Sequence, residues 1–358
     1  MRISKIIFLS LTWIFLAHFV KPVQSSASAA ALPETQTLGT STPESAWSTE
    51  PDPLQIPLMR ERSYTASPIT IEQTLAPGSN YTRSVVSYLS DGYKIYALMT
   101  IPDGTKPSDG WPVIVFNHGY IAPSEYRTTE RYLSYVDRIA QNGYIVFKSD
   151  YRGHGNSEGG EEVGGGYGTP DYTVDILNAI ESLKEHADVN PNRIGIWGHS
   201  MGGQIALRAM VVSSDIKAGV IWAGVVAPYP TIIEAWNRSD EARTFAENGN
   251  RWVQSFSSWA QAFLNKYGSS DQNPDFWGTI SPNNYLEDLS GPIQLHHSTT
   301  DARVPYTWSE ILAGGLQKVK KWPYSFYAYP DDDHNISTNF ETAMQRTITF
   351  FDQNVKRN

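Results

Sequence analysis

The chain has 358 residues, and its 28 Lys and Arg residues against 37 Asp and Glu residues give a net charge of −9, which disfavours nucleic acid and anionic membrane surfaces as partners. Charged residues make up 18% of the sequence and apolar residues 40%, a balance typical of a globular protein with a sizeable core and not of a disordered one. There is no cysteine, which excludes disulfide frameworks, zinc–thiolate sites, iron–sulfur clusters and thiol nucleophiles.

The first residues have the order of an export signal. Arg2 and Lys5 precede an apolar run from Ile6 to Val20, and Ala27-Ser28-Ala29 is the candidate cleavage site. The apolar run is shorter than the roughly 20 residues of a stable bilayer span. We therefore expect a cleaved signal over residues 1–29 and a secreted or periplasmic mature protein without stable membrane insertion. The alternative is an uncleaved N-terminal membrane anchor.

Residues 30–80 are predicted to form a flexible leader. Pro, Ser and Thr are frequent up to about Pro57, and this stretch shows neither a helical nor an alternating apolar pattern. The main folded domain is therefore predicted to span residues 81–358.

In that part, strands alternate with helices. The strands Arg83 to Ser90 and Tyr93 to Ile101 flank Asp91-Gly92, which is the sequence of a tight hairpin turn. Continuous apolar strands such as Val113 to Phe116 then alternate with helices such as Tyr172 to His186. This alternation predicts an α/β fold whose mainly parallel sheet carries helices on both faces and is opened by an antiparallel hairpin.

An aromatic-rich segment from Pro228 to Ser290 interrupts the alternation. Aromatic residues at helical spacing are more often ordinary core than ligand contacts. The alternative is a helical cap over a pocket at the carboxyl ends of the strands, where open α/β sheets bind their ligands. We expect an inserted cap over residues 228–290, with Trp236 as a substrate-binding residue.

Gly198-His199-Ser200-Met201-Gly202 fits the pattern Gly-x-Ser-x-Gly. It follows the apolar strand that ends at Trp197 and precedes a helix predicted over Gly203 to Val212. A strand-to-helix corner of this kind holds a serine in strained backbone geometry at the edge of a sheet, where its hydroxyl is exposed as a nucleophile. We therefore expect Ser200 to be the catalytic nucleophile. The alternative is a glycine-rich turn with an inert serine.

A serine nucleophile needs a base, and elimination among the eight histidines leaves His334. It alone lies in a polar loop between the last predicted strand and the last predicted helix, whereas His199 is expected to face away from the position of a base. The orienting carboxylate is expected on the loop after the preceding strand. Asp301 lies there and gives the chain order Ser, Asp, His.

The run Asp331 to Asp333 offers rival carboxylates because it adjoins His334. Its other possible roles are a solvated acidic turn or, together with His296-His297, a metal site. No metal-ligand spacing motif is present, and the glycine-rich stretch at 153–168 lacks a phosphate-binding pattern. We therefore expect neither a metal nor a cofactor.

Two backbone N–H groups are predicted to bind the developing oxyanion. That of Met201 follows the nucleophile at a helix N-terminus, where the helix dipole favours negative charge. The second is expected from Asn117-His118-Gly119-Tyr120, because the glycine allows the backbone to come close. Tyr120 N–H is the expected donor, with the Tyr120 ring as a wall of the acyl pocket; a plain turn is the alternative.

These motifs together resemble an α/β-hydrolase, over roughly Arg83 to Asn354. Three stretches carry the resemblance: Asn117 to Tyr120, Asp150 to Ser157 and Asn190 to Gly203. The last is similar to the catalytic domain of the prolyl-oligopeptidase family and to its dienelactone-hydrolase and esterase relatives. The resemblance implies that fold, with a triad of Ser200, Asp301 and His334 and an oxyanion hole of Tyr120 and Met201.

Two departures from the pattern put oligopeptidase activity in doubt. The segment before Arg83 is too short for the propeller domain that those peptidases carry, and Gln204 stands where their elbow has a bulky aromatic residue. The sequence therefore predicts a secreted serine hydrolase that cleaves an ester or amide bond in a small-molecule ester or a short peptide. The alternatives are a peptidase restricted to short peptides and a catalytically silent α/β-hydrolase used as a binding module.

Overall fold

The computed structural model describes residue 48 and residues 50–160, 166–238 and 251–356. All of these lie in one unit, Ser45–Asn358. The predicted signal over residues 1–29 lies outside the described residues.

A nine-stranded sheet forms the centre of the described chain. Its strands are β1 Thr70–Leu75, β2 Tyr81–Ser90, β3 Tyr93–Pro102, β4 Trp111–Asn117, β5 Ile145–Ser149, β6 Val189–His199, β7 Ile216–Trp222, β8 Ile293–Ser298 and β9 Tyr324–Tyr329. They lie in the order β1-β2-β3-β5-β4-β6-β7-β8-β9. The pairs β1–β2, β2–β3 and β3–β5 are antiparallel. The remaining pairs, from β5–β4 along the sheet to β8–β9, are parallel. The predicted α/β fold with its N-terminal antiparallel hairpin is confirmed.

Helices cover both faces of the sheet. They are α1 Ile56–Glu61, α2 Leu133–Gln141, α3 Asp171–Lys184, α4 Met201–Val212, α5 Tyr229–Arg238, α6 Arg251–Tyr267, α7 Pro274–Ile280, α8 Tyr306–Val319 and α9 Phe340–Phe351. Alternate residues of β4 show the two layers: Val113 and Val115 belong to one apolar cluster with α3, α4 and α8, while Ile114 and Phe116 belong to another with α2 and α9. None of the helices within the described residues has the length and apolar character needed to span a bilayer.

The structure corrects the prediction of a flexible leader for residues 50–80. This stretch contains helix α1 and edge strand β1, and Leu54 and Ile56 are fully buried in the core. Buried Arg208 on α4 donates to the Leu54 carbonyl at 2.7 Å, which fixes the segment to the helix after the elbow. Pro57, one of the prolines that suggested a linker, lies in the first turn of α1, where a missing N–H is tolerated.

The segment predicted as a cap is helical where it is described. Helices α5, α6 and α7 and a 3₁₀ turn, Pro282–Asp288, lie between β7 and β8. Trp259, Phe263, Tyr267, Phe276 and Trp277 are buried and pack on one another, so most of the described aromatic side chains form local core. Residues 239–250 and the side chain of Trp236 lie outside the described part of the chain.

Candidate active site

Ser200 stands at the sharp corner between β6 and α4. Its backbone has φ 56° and ψ −119°, a conformation that costs free energy for a residue with a side chain. Added Cβ atoms at Gly198 and Gly202 would lie 2.2 Å from the Gly202 carbonyl oxygen and 2.1 Å from the Asn117 carbonyl oxygen, so both positions require glycine. The pattern Gly-x-Ser-x-Gly is thus explained by close backbone contacts around the serine.

Backbone hydrogen bonds hold this corner on the sheet. Ser200 N–H donates to the Trp222 carbonyl, and the Ser200 carbonyl accepts from the N–H groups of Gly203 and Val225, each at 3.0 Å. Met201 occupies the first position of α4, where a backbone N–H has no partner within the helix. The corner therefore presents the side chain of Ser200 beside the positive end of α4.

His334 and Asp301 meet on the loops after β9 and β8. His334 Nδ1 lies 2.7 Å from Asp301 Oδ2, and the Asp301 side chain is fully buried. Asp301 Oδ1 accepts from the N–H groups of Arg303 and Val304, at 2.8 and 3.1 Å. Both carboxylate oxygens are therefore occupied, which fixes the plane of the carboxylate against the imidazole.

The electrostatics of Asp301 keep it ionised. Burial raises the pKa of the carboxyl, but hydrogen bonds from His297 and His334 oppose burial and hold the pKa well below its ordinary range. An ionised carboxylate accepts the proton on His334 Nδ1, so the other ring nitrogen, Nε2, is left able to take up a proton. This is the tautomer that a general base requires.

Sequence reasoning missed a second imidazole on the same carboxylate. His297 Nε2 lies 3.1 Å from Asp301 Oδ2 and 3.0 Å from the Val304 carbonyl oxygen, and His297 Nδ1 lies 2.7 Å from Ser309 Oγ. Both neighbours of Nε2 are acceptors, so Nε2 carries the proton and donates it. The available signal was the four-residue separation of His297, at the end of β8, from Asp301 on the loop that follows.

Two of the rival carboxylates, those of Asp332 and Asp333, bind backbone N–H groups of their own loop. Asp332 accepts from the N–H groups of Thr338 and Asn339, and Asp333 from those of Asn335 and Ser337. Within the described ranges, no group of three His, Asp or Glu side chains is placed to hold a metal ion. The structure thus brings Asp301, and not these aspartates, to the ring of His334.

The predicted oxyanion loop runs beside the serine. A Cβ atom added to Gly119 would lie 3.1 Å from Ser200 Cβ, which places the backbone of this loop next to the nucleophile. Gly119 N–H donates to the Tyr132 hydroxyl at 2.9 Å. Tyr120 follows and packs against the larger apolar cluster. Trp236 lies on α5, and its side chain is outside the described structure, so its predicted role stays a prediction.

His199 does not face away from the base as expected. Its Nε2 lies 3.0 Å from the His334 carbonyl oxygen, and the two imidazole rings are 4.6 Å apart. Because His199 directly precedes Ser200, this contact brings the His334 loop to the elbow. The misjudged orientation follows from the sharp corner, which turns neighbouring side chains in directions that a strand pattern does not predict.

The sequence matches the model of a known protein family. The model described as serine aminopeptidase, S33, matches residues 111–315, which is more than half of the chain. This chain belongs to the S33 family. The S33 match contains Ser200 and Asp301 and ends before His334, and it confirms the resemblance to α/β-hydrolases.

Individual relatives of this S33 chain carry peptidase and esterase names. It is 23% identical over 262 residues to "uncharacterized peptidase YtmA" of Bacillus subtilis (strain 168), covering 71% of this chain and 88% of that protein. The acylaminoacyl peptidase of Pyrococcus horikoshii superposes with a TM-score of 0.60 at 22% identity, over 78% of this chain and 43% of the peptidase.

An acetyl xylan esterase from Paenibacillus sp. R4 is structurally similar over nearly its whole length. The TM-score is 0.60 at 18% identity, and the match covers 82% of this chain and 91% of the esterase. At these identities the two solved structures show a shared fold. The chain spans less than half of the acylaminoacyl peptidase, so the fold is shared with one part of that enzyme.

Proposed function

We propose that this hydrolase cleaves an ester or amide bond through an acyl-enzyme on Ser200. The observation that carries the proposal is the contact between His334 Nδ1 and buried Asp301. The loop of His334 also contacts the elbow of Ser200, through His199. In this proposal His334 is the general base and then the general acid, and Asp301 holds its tautomer.

The reaction proceeds in two halves. Ser200 Oγ attacks the carbonyl carbon of the substrate while His334 Nε2 takes the hydroxyl proton, and a tetrahedral intermediate forms. The N–H groups of Met201 and Tyr120 stabilise the negative oxygen. His334 then protonates the leaving alcohol or amine, and the acyl group stays on Ser200. Water, activated by the same imidazole, hydrolyses the acyl-enzyme and restores the serine.

Two features support Tyr120 as the donor from its loop. Gly119 N–H donates to the Tyr132 hydroxyl and is therefore not directed at the oxyanion. The next backbone amide in this loop is that of Tyr120. The close approach of Gly119 to Ser200 places this stretch of backbone at the side of the nucleophile. An oxyanion between the two loops then receives N–H groups from two separate elements, α4 and the loop after β4.

Export is part of the proposal and rests on the sequence alone. A positive region, an apolar run and small residues precede the predicted cleavage after Ala29. N-terminal sequencing of the protein recovered from medium or periplasm is expected to start at residue 30. A chain that begins at Met1 in the membrane fraction supports the anchor instead.

A short-peptide peptidase is the second candidate, because the matched family model and YtmA are both described as peptidases. The similarity to the acetyl xylan esterase, which covers nearly the full length of that enzyme, supports small acyl esters as substrates instead. Comparing p-nitrophenyl acyl esters with aminoacyl and prolyl p-nitroanilides separates the two. We expect turnover of the esters by the wild type and none above background by Ser200→Ala. Equal turnover by both proteins overturns the proposal, and no turnover by either protein favours a silent binding module.

A further inference from the structure

The hydroxyl of Tyr132 lies between two parts of the proposed active site. It is 2.9 Å from Gly119 N on the oxyanion loop and 2.8 Å from Nδ1 of His199, the residue before Ser200. His199 in turn contacts the His334 carbonyl oxygen through Nε2, at 3.0 Å. The oxyanion loop, the elbow and the loop of the base are therefore linked by one chain of hydrogen bonds.

The direction of every bond in this chain is determined. The His334 carbonyl oxygen only accepts, so His199 Nε2 carries a proton and donates it. Burial lowers the pKa of His199 to about 3, so the ring is neutral and its Nδ1 is an acceptor. Tyr132 O–H therefore donates to Nδ1, and its oxygen accepts from Gly119 N–H. With a neutral His199 ring, no other assignment of protons satisfies all three contacts.

The fold maintains a costly turn to place this hydroxyl. Arg131 and Tyr132 both have left-handed backbones, with φ of 53° and 55°, although neither is glycine. Lys148, whose side chain is buried at the end of β5, donates to the carbonyl oxygens of Glu130 and Arg131 at 2.9 and 3.4 Å. The Lys148 ammonium also interacts with the buried carboxyl of Asp150, and its two hydrogen bonds hold the carbonyls of this turn in place.

We propose that Tyr132 is a positioning residue of the reaction. Its hydroxyl, through His199, sets the distance between the oxyanion loop and the main chain of His334. The proposal rests on the proposed function, because it assigns a role only if Ser200 and His334 react as described. Oxyanion donors and bases lose most of their effect when displaced by a fraction of an ångström to 1 Å, so one shared hydroxyl controls both.

Tyr132→Phe tests this with little disturbance of packing. The ring of Tyr132 makes edge contacts with Phe116 and Trp197, and phenylalanine keeps them. We expect kcat for a p-nitrophenyl ester to fall about 10- to 100-fold while KM changes less than about threefold, because ground-state binding does not need the oxyanion geometry. Fluorophosphonate labelling of Ser200 slows by a similar factor.

Tyr144→Phe is the matched control. Tyr144 is buried and its hydroxyl donates to Asp352 at 2.8 Å, but it precedes β5 at the amino ends of the parallel strands, away from Ser200. We expect a comparable loss of stability and no loss of kcat. A Tyr132→Phe enzyme with kcat within about twofold of wild type, or an equal loss in both variants, overturns the proposal.

His199→Asn tests the link to His334. An asparagine amide reaches the position of Nδ1 but not that of Nε2, so the acceptor for Tyr132 remains and the bond to the His334 carbonyl is lost. We expect the double variant, Tyr132→Phe with His199→Asn, to lose less kcat than the product of the two single-variant losses. Part of each single loss has the same cause, the broken link to His334. Strictly multiplicative losses contradict the chain of hydrogen bonds.

The outcomes for the proposed function and for this inference differ. If Ser200→Ala hydrolyses and labels as well as wild type, the proposed function fails and this inference with it. An active wild type with an unaffected Tyr132→Phe overturns the inference alone.

Discussion

At the scale of single residues, the candidate site combines features that the sequence predicts with others that it does not. Ser200 follows from a local pattern, because glycines at 198 and 202 are required by backbone contacts within the corner. Asp301 and His334 follow from chain order. Tyr132 and His297 were missed because their roles depend on contacts such as that between residues 132 and 199, which no local pattern encodes.

The role of Asp301 predicts a large effect of Asp301→Asn. An amide at this position no longer holds the proton on His334 Nδ1, so the tautomer that acts as base is lost. We expect kcat to fall by about 10³-fold or more with the fold retained. Steady-state hydrolysis and circular dichroism measure the two properties.

Asp331→Asn is the control for this variant. Asp331 is exposed in the neighbouring loop and has a left-handed backbone, φ 58°, which asparagine tolerates. We expect its kcat to stay close to that of the wild type. Full activity in Asp301→Asn, with activity lost in variants at 331–333, assigns the orienting carboxylate to the acidic run instead.

At the scale of elements, long apolar segments were predictable and short polar ones were not. Strands β2, β3 and β4 and helices α3 and α4 match the predicted segments to within a few residues, because burial on one or both faces produces a strong apolar pattern. Strand β1 was missed since five of its six residues are exposed and show no alternation. Helix α2 did carry a usable signal, with Tyr135, Val136, Ile139 and Ala140 on one buried face.

The attachment of the N-terminal segment depends on Arg208. Its guanidinium donates to the carbonyl oxygens of Leu54 and Ile280, at 2.7 and 2.9 Å, and lies over the ring of Tyr229. Lysine cannot span both carbonyls, so Arg208→Lys leaves a buried acceptor unpaired and lowers the free energy of unfolding by about 1–3 kcal/mol. Denaturant unfolding measures this loss.

Arg138→Lys provides the surface comparison. Arg138 pairs with Glu341 at a solvent-exposed position, where an ion pair contributes about 0–1 kcal/mol. We expect this variant to unfold at nearly the wild-type denaturant concentration. Equal losses for Arg208→Lys and Arg138→Lys contradict the role of Arg208 in fastening residues 50–62 to α4.

At the scale of the whole molecule, buried neutral histidines make the fold sensitive to acid. Burial lowers the pKa of His118, His154, His199 and His296, to about 4 for His154 and about 3 for His199. In the unfolded chain these imidazoles titrate near 6.5. Below that pH the unfolded state binds more protons than the folded state, so stability falls as the pH falls.

The predicted pH window lies above the range in which most carboxylates titrate. Buried Asp150 is an exception: burial raises its pKa to about 7, so its protonation in the folded state offsets part of the loss. Between pH 6.5 and 5.5 we expect the free energy of unfolding to drop by a few kcal/mol, since each such histidine contributes about 1 kcal/mol over this unit. Denaturant titrations at these two pH values measure the change. A free energy of unfolding that stays constant from pH 7 to 5 contradicts the neutral, buried state of these side chains.

The account as a whole depends on Ser200 being the nucleophile of an S33-family hydrolase. The most direct measurement is reaction of the full chain with a fluorophosphonate, followed by mass spectrometry of its peptides. We expect one adduct, on Ser200, in the wild type and none in Ser200→Ala, with labelling slowed in Asp301→Asn because the base lacks its tautomer. An adduct on another residue, or equal labelling of wild type and Ser200→Ala, contradicts the account.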